Sequence, residues 1–334
     1  MAQASSYSCS VCEERLTDEV LSQLEECGYV VLDRFLREED ATRLLGDIIS
    51  LTTATENNIF RQNLTQFPNP LPTSSNPFTY VAKPGIFEID YSVSANRPAA
   101  SELAKIHGFF KDSALLRLRA YFKQHGGPTV RSEGDDLIDG CKEPIAMKVQ
   151  FNQGIGGSFP LHYDNPGPPN SRFLTCILYL NSGWQEGHGG ELVLQPFLQP
   201  TVTLPPLFNR LVMFKSSSML HGTRPSHRRR YCVSCWLEAD GMSEPELTEL
   251  RLPASCVQSE QGVRDTIRYL RGPQQRSIAR CVYADEFLES ILDCLGAGAA
   301  AGVMATSHER AVRAMEASSP LLKQLIDVLK MHKA

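Results

Sequence analysis

The apolar positions of this chain change period twice along its length, and the changes divide it. Helical spacing comes first. Thr17 can cap a short helix with apolar positions at Val20, Leu21 and Leu24, and Gly28 is its stop. Tyr29 to Leu32 reads as a strand. Glu38, Glu39 and Asp40 suit the first turn of a second helix, where negative charge meets the positive end of the helix dipole, and Leu44, Leu45 and Ile48 form its apolar face. From 52 to 77 the chain is polar and broken by Pro68, Pro70, Pro72 and Pro77, which predicts a long loop. Phe87 to Tyr91 alternates and predicts a strand. Leu103, Ile106, Phe110, Leu115, Leu118 and Phe122 then fall at helical spacing between 99 and 123, and core packing accounts for that stripe. Gly126, Gly127 and Pro128 end the helix, and an acidic loop with Asp135 and Asp136 follows.

Between Met147 and Glu238 the period shortens to that of strands. Short β-rich runs at 147–151, 173–180, 191–194, 210–214 and 230–237 are separated by Gly, Pro and Asn clusters, as in a sandwich or barrel. Beyond Asp240 helical spacing returns, at 261–270, 284–295, 306–317 and 320–333. Pro320 stands where a first-turn proline is tolerated. The run from Gly296 to Gly302 reads as a flexible link or a frayed helix end. The last helix carries Leu321, Leu322, Leu325, Ile326 and Leu329 on one face, fit for a core or a dimer contact.

Composition narrows the class. With 38 acidic and 33 basic residues the net charge is −5, so nothing global favours nucleic acid or an anionic membrane. No run of 18 apolar residues predicts a membrane span. The first residues lack a basic stretch followed by an apolar one, so no secretory signal is expected. The 10 cysteines are scattered, which reads as reduced thiols of a cytoplasmic or nuclear protein. Cys9 and Cys12 make half a zinc site with no second pair. Cys232 and Cys235 would point to opposite faces of a strand, which suits packing better than redox chemistry. His188 sits in a glycine-rich turn expected at the surface.

The chemistry lies in the β-rich stretch. On a strand, His162 and Asp164 share a face, so one imidazole and one carboxylate converge. His221, after the strand Leu211 to Phe214, is the natural third ligand, with His227 in the basic turn as the alternative. Two histidines and one carboxylate with open positions form the pattern of non-haem Fe(II) oxygenases. Arg230 opens the alternating run to Leu237, so Arg230, Cys232, Ser234 and Trp236 face one way. A guanidinium entering a barrel needs an anion, and a carboxylate matches its planar fork.

These residues carry a resemblance. His162-Tyr163-Asp164-Asn165-Pro166, the run Thr175 to Asn181, Trp184, Gly189-Gly190, Asn209-Arg210-Leu211, His221, Arg230-Tyr231 and Trp236 fall in the order of the 2-oxoglutarate- and Fe(II)-dependent dioxygenases. The stretch resembles the prolyl 4-hydroxylase group, and within it the HIF prolyl hydroxylase (Egl-nine) branch. The resemblance implies an α+β chain on a double-stranded β-helix (jelly-roll) core with flanking N-terminal and C-terminal helices. The chain as a whole then reads as a flexible tail (1–14), a support region (15–142), the dioxygenase core (143–239) and a C-terminal helical region (240–334). It implies His162, Asp164 and His221 as iron ligands. Arg230 would hold the far carboxylate of 2-oxoglutarate with the Tyr179 hydroxyl, and Ser234, Trp236 and Met147 would line the same pocket. Phe151 stands where close relatives carry a tyrosine near the cosubstrate, and cannot donate a hydrogen bond. The glycine-rich 154–161 stretch would flex as a substrate lid. The implied cofactors and cosubstrates are Fe(II), 2-oxoglutarate, O2 and L-ascorbate. The implied reaction is hydroxylation of a peptide or protein proline, with succinate and CO2 as co-products. The same chemistry on a free amino acid, or a silent metal-binding interaction module, are the alternatives.

Overall fold

Thr17 and Gly28 bracket the first helix as the sequence requires. In the computed structural model, which describes residues 14–53, 59–68, 78–93, 97–99, 101–130, 144–167, 170–240, 254–270 and 272–333, helix α1 runs Asp18–Cys27. The Thr17 hydroxyl accepts the N–H of Val20, and Gly28 takes the left-handed conformation at φ 78°. Strand β1 (Tyr29–Leu32) and helix α2 (Glu38–Thr53) follow, and Leu44 and Ile48 of α2 are buried. The next stretch departs from the loop expectation. Arg61–Pro68 is strand β2, paired antiparallel with β3 (Phe78–Asp90). Pro68 is the terminal residue of β2, so the strand ends where the prolines begin.

The aromatic stripe is one continuous helical column with a defect. Helix α3 (Ser101–Gly108) passes into a π-helical turn (Phe109–Ala114) and then into α4 (Leu115–His125). The wider turn lets two successive aromatics, Phe109 and Phe110, both enter the core.

The β-rich stretch folds into two antiparallel sheets. The major sheet runs β1–β10–β7–β12–β5–β3–β2, where β5 is Ile145–Asn152, β7 Arg172–Tyr179, β10 Arg210–Lys215 and β12 Arg230–Asp240; β4 (Thr129–Val130) pairs with the far end of β12. The minor sheet runs β6–β11–β8–β9, with β6 Gly157–His162, β8 Leu192–Gln195, β9 Val202–Leu204 and β11 Leu220–Ser226. From β5 to β8 the chain alternates between the sheets, which is the winding of a double-stranded β-helix. Strand β6 corrects the lid expectation for residues 154–161. Gly157 and Ser158 are buried, and the glycines with positive φ, Gly154 and Gly156, only make the tight β5–β6 connection.

The helices α1 to α4 back the major sheet through one apolar cluster that includes Leu24, Ile48, Phe109, Met147, Val233 and Leu178. A second cluster joins the minor sheet to the C-terminal helices, where Leu220, Leu161 and Tyr163 meet Ile278, Phe287 and Ile326. These helices are α5 (Glu260–Tyr269), α6 (Gly272–Val282), α7 (Ala284–Leu295), α8 (Ala299–Ser318) and α9 (Pro320–Met331). Helix α6 falls outside the expected helices because Gly272-Pro273 reads as a break, and α8 absorbs the alanine-rich link from Ala299. Helix α7 lies along the edge strand β6. There Ser290 Oγ accepts the Leu161 N–H at 3.0 Å, and the Cys294 thiol donates to Ser158 O at 3.2 Å.

Cys27, Cys176, Cys232, Cys235, Cys256, Cys281 and Cys294 are free thiols. Cys232 and Cys235 lie in different apolar clusters on opposite faces of β12. Cys9 and Cys12 lie outside the described residues. Among those residues, no helix is long and apolar enough to cross a membrane.

Candidate active site

The minor sheet brings His162 and His221 together by register. They are direct cross-strand partners of β6 and β11, with ring centroids 4.3 Å apart. His162 is the last residue of its strand, so Asp164 reaches them from the turn beyond β6 and not from a shared strand face. Asp164 Oδ1 lies 3.5 Å from His162 Nε2, and Oδ2 lies 3.4 Å from His221 Nε2. One donor atom from each of the three lies within 4.8 Å of the others. The outer ring nitrogens are engaged by backbone carbonyls, His162 Nδ1 with Pro160 O (2.8 Å) and His221 Nδ1 with Met219 O (3.1 Å). Those bonds put the proton on Nδ1 and turn both Nε2 lone pairs inward, as metal-binding histidines require.

The electrostatics suit a cation. Burial pushes the Asp164 carboxyl up, but the His221 and His162 rings beside it outweigh that and hold it below the usual carboxylate range. Burial, and then the neighbouring His162, bring His221 down to about 4, so it is the neutral imidazole that ligates metal. His221 is deeply buried, whereas 40% of the His162 side chain is exposed, so the cluster opens on the His162 side.

The major sheet supplies the opposite wall. The pocket is lined by Gln150, Thr175, Arg230, Cys232, Ser234 and Trp236 from this sheet and by the triad from the other side. Arg230 is buried, donating through Nε to Gly190 O (3.0 Å) and through Nη1 to the Cys232 sulfur (3.6 Å). Its guanidinium lies over the Tyr179 ring, 4.9 Å from the centroid, and no carboxylate pairs with it among the described residues. A Cβ at Gly190 would stand 2.8 Å from Arg230 Cδ, so glycine there makes room for the side chain. The Tyr179 hydroxyl and the Trp236 indole N–H are buried without a hydrogen-bond partner. A buried cation without an anion, beside an orphaned hydroxyl, is the complement of a small carboxylate. Together with the His–Asp–His donor set, these residues fit Fe(II) and a keto acid.

Two of the sequence assignments fall on the wrong face of β5. Met147 is fully buried in the apolar cluster behind the sheet, against the N-terminal helices, and does not line the pocket. Phe151 shares that side, stacked on Phe87 (5.3 Å) and edge-on to Phe60 (5.0 Å), so it does not stand beside the cosubstrate pocket. Gln150, one residue earlier, faces the pocket. Its Nε2 donates to Glu88 (3.1 Å), and its Oε1 accepts weakly from Ser234 (3.5 Å) and Cys232 (3.6 Å). The signal was the alternation of β5, in which Ile145, Met147, Val149 and Phe151 are apolar while Lys148, Gln150 and Asn152 are polar. Thr175, on the pocket face of β7, was also missed. His188 is half-buried and builds its turn by accepting the Gln185 N–H (3.1 Å), while exposed His227 lies outside the triad.

Residues 147–238 match the family model of the 2OG-Fe(II) oxygenase superfamily. A solved structure of prolyl 4-hydroxylases from Phytophthora capsici is similar over 99% of this chain and 97% of its own, at 32% identity and a TM-score of 0.76. The chain belongs to the 2OG-Fe(II) oxygenase superfamily, on its prolyl hydroxylase side. Prolyl hydroxylase EGLN3 of Mus musculus is 36% identical over 98 residues, 28% of this chain, and Egl nine homolog 1 of Rattus norvegicus is 30% identical over 146 residues, 40% of this chain. The matched part spans 41% of the length of each of these two relatives. A prolyl hydroxylase from Trichoplax adhaerens, solved with a hypoxia inducible factor peptide fragment, shares the fold at 19% identity, a TM-score of 0.54, and coverage of 72% of this chain and 96% of its own.

Proposed function

We propose that this protein is an Fe(II)- and 2-oxoglutarate-dependent dioxygenase that hydroxylates a proline C–H in a peptide or protein, with succinate and CO2 as co-products. The observation that carries it is the buried Arg230 guanidinium, which lines the pocket that holds the triad, has no carboxylate partner among the described residues and lies over the ring of Tyr179, whose hydroxyl is itself without a hydrogen-bond partner. His162, Asp164 and His221 hold the metal. Arg230 and Tyr179 take the far carboxylate of 2-oxoglutarate, and Ser234 and Trp236 wall its pocket. Bound Fe(II) and 2-oxoglutarate together supply the activation of O2. The protein orients the ligands through Pro160 O and Met219 O, anchors the cosubstrate through Arg230, and excludes water with Ile177 and Leu192. The His162 side is the open one, which suits entry of a chain segment. L-ascorbate is the proposed accessory reductant. A reducing compartment, cytoplasmic or nuclear, suits the free thiols.

The test is an anaerobic titration with Fe(II) and 2-oxoglutarate, which should give a weak visible charge-transfer band that Arg230→Met suppresses. Mass spectrometry of proline-containing peptides incubated in air should then show gain of one oxygen. Folded, iron-loaded protein without the band would refute the proposal. Succinate formation that disappears in Asp164→Ala would dispose of a silent binding module.

A further inference from the structure

A hydroxyl relay stands behind the carboxylate of the triad. Thr175 and Ser216 are both fully buried. Thr175 Oγ1 donates to Asp164 Oδ2 at 2.7 Å and lies 2.8 Å from Ser216 Oγ. A threonine hydroxyl has one proton, and an ionised carboxylate can only accept. Thr175 therefore spends its proton on Asp164, and Ser216 must be the donor to Thr175. The order is Ser216 to Thr175 to Asp164, with no freedom to reverse.

Ser216 also ties the backbone. It follows β10 directly, its N–H donates to Phe173 O (3.0 Å), and its carbonyl accepts the N–H of Asn165, the residue after Asp164 (3.1 Å). One residue further along each segment, Arg276 of α6 donates to Pro166 O (3.1 Å) and Ser217 O (3.4 Å). The turn that carries Asp164 is thus pinned from inside by two hydroxyls and from outside by one guanidinium.

We infer that Thr175 and Ser216 are positioning residues that reserve Asp164 Oδ2 for the protein, so that only Oδ1 serves as a metal ligand. The inference rests on the metal reading above. Its consequence is for the cosubstrate. A carboxylate that used both oxygens would take a coordination position that the two-His, one-carboxylate pattern leaves open for exogenous ligands. A hydrogen bond to a ligating carboxylate is also the kind of outer partner on which metal affinity depends.

Cobalt(II) is a suitable probe, because its visible spectrum reports coordination without turnover. Wild-type protein, Thr175→Val, Thr175→Ser and Ser216→Ala would each be titrated with Co(II) and then, anaerobically, with 2-oxoglutarate. Thr175→Val keeps the shape and loses the proton. It should bind Co(II) about ten- to a hundredfold more weakly, change the band, and bind 2-oxoglutarate less well. Thr175→Ser should restore all three. Ser216→Ala should show a smaller change of the same kind and carry the reading if Thr175→Val does not fold. In the double variant it should add nothing, since it acts through Thr175. Wild-type affinity and spectrum in both Thr175→Val and Ser216→Ala would overturn the inference while leaving the metal site standing. Wild-type protein with no Co(II) site, or with one that survives Asp164→Ala, would overturn the metal reading and this inference with it.

Discussion

The strands β5, β12 and β7 have two faces that were built to opposite specifications. Behind them Met147, Val149, Val233, Cys235, Leu174 and Leu178 are sealed into an apolar cluster with the N-terminal helices. In front, one residue out of step, Gln150, Ser234, Arg230 and Thr175 are almost equally buried but polar. The back face is satisfied by what it touches. The front face is left short of partners: among the described residues the Arg230 guanidinium has no carboxylate, and the Tyr179 hydroxyl and Trp236 indole N–H have no hydrogen-bond partner. Apolar burial contributes about 25 cal/mol per Å² wherever it occurs, so the back can hold the strands rigid while the front waits for its ligands. A single sheet thus divides stability from chemistry by the two-residue repeat of its strands.

That division can be attacked from either side. The largest effect should come from His221→Ala, which removes a ligand from the site. Succinate formation should fall by roughly three orders of magnitude or more, the several kcal/mol that a bound metal supplies. Next, Arg230→Met should weaken 2-oxoglutarate binding by about 2–5 kcal/mol, read by calorimetry. It should not lower the metal-free melting temperature, because a buried charge without its anion adds little to folding. On the back face the pattern inverts. Met147→Ala should cost about 2–5 kcal/mol of stability in a denaturant titration yet leave the affinity for 2-oxoglutarate within about twofold, since a defect confined to the other face leaves the pocket walls in place. An affinity loss in proportion to the stability loss would mean that the two faces are not independent.

The smallest effect concerns Lys83 of β3. It is buried, hydrogen-bonded to Asn63 and lies over the Phe159 ring at 4.8 Å. Burial brings it down from 10.5 to about 8, against the opposing pull of Cys294 and Glu88. Below pH 8 the ammonium is charged in both folded and unfolded chains, so the penalty is fully present. Between pH 8 and 10.5 only the unfolded chain keeps its proton, so stability should rise with pH across that window. The rise should be at most about 3 kcal/mol and should vanish in Lys83→Met, as followed by urea melts at pH 7 and pH 10.

The site was more legible than its surroundings. His162, Asp164, His221 and Arg230 could be read because metal and carboxylate binding need those side-chain types, and short strands space them regularly. The faces of β5 were harder. Met147 and Phe151 were placed by likeness, and only the pairing of β5 with β12, Met147 opposite Cys235 and Gln150 opposite Cys232, fixes which side is which. A one-residue slip reverses every side chain. Strand β2 was hidden by the prolines just beyond it, and β6 by its glycines. The Ser216–Thr175–Asp164 relay joins segments 41 and 11 residues apart, a juxtaposition that no local pattern encodes.

The helix laid along β6 has one more consequence. Strand β6 is the rim of the minor sheet, and Ser290 and Cys294 of α7 occupy groups on it that a further strand would otherwise use. Loss or loosening of α7 would leave a free hydrogen-bonding edge ending at His162. Such an edge is a template for pairing between chains, so damage to the C-terminal helices should surface first as self-association.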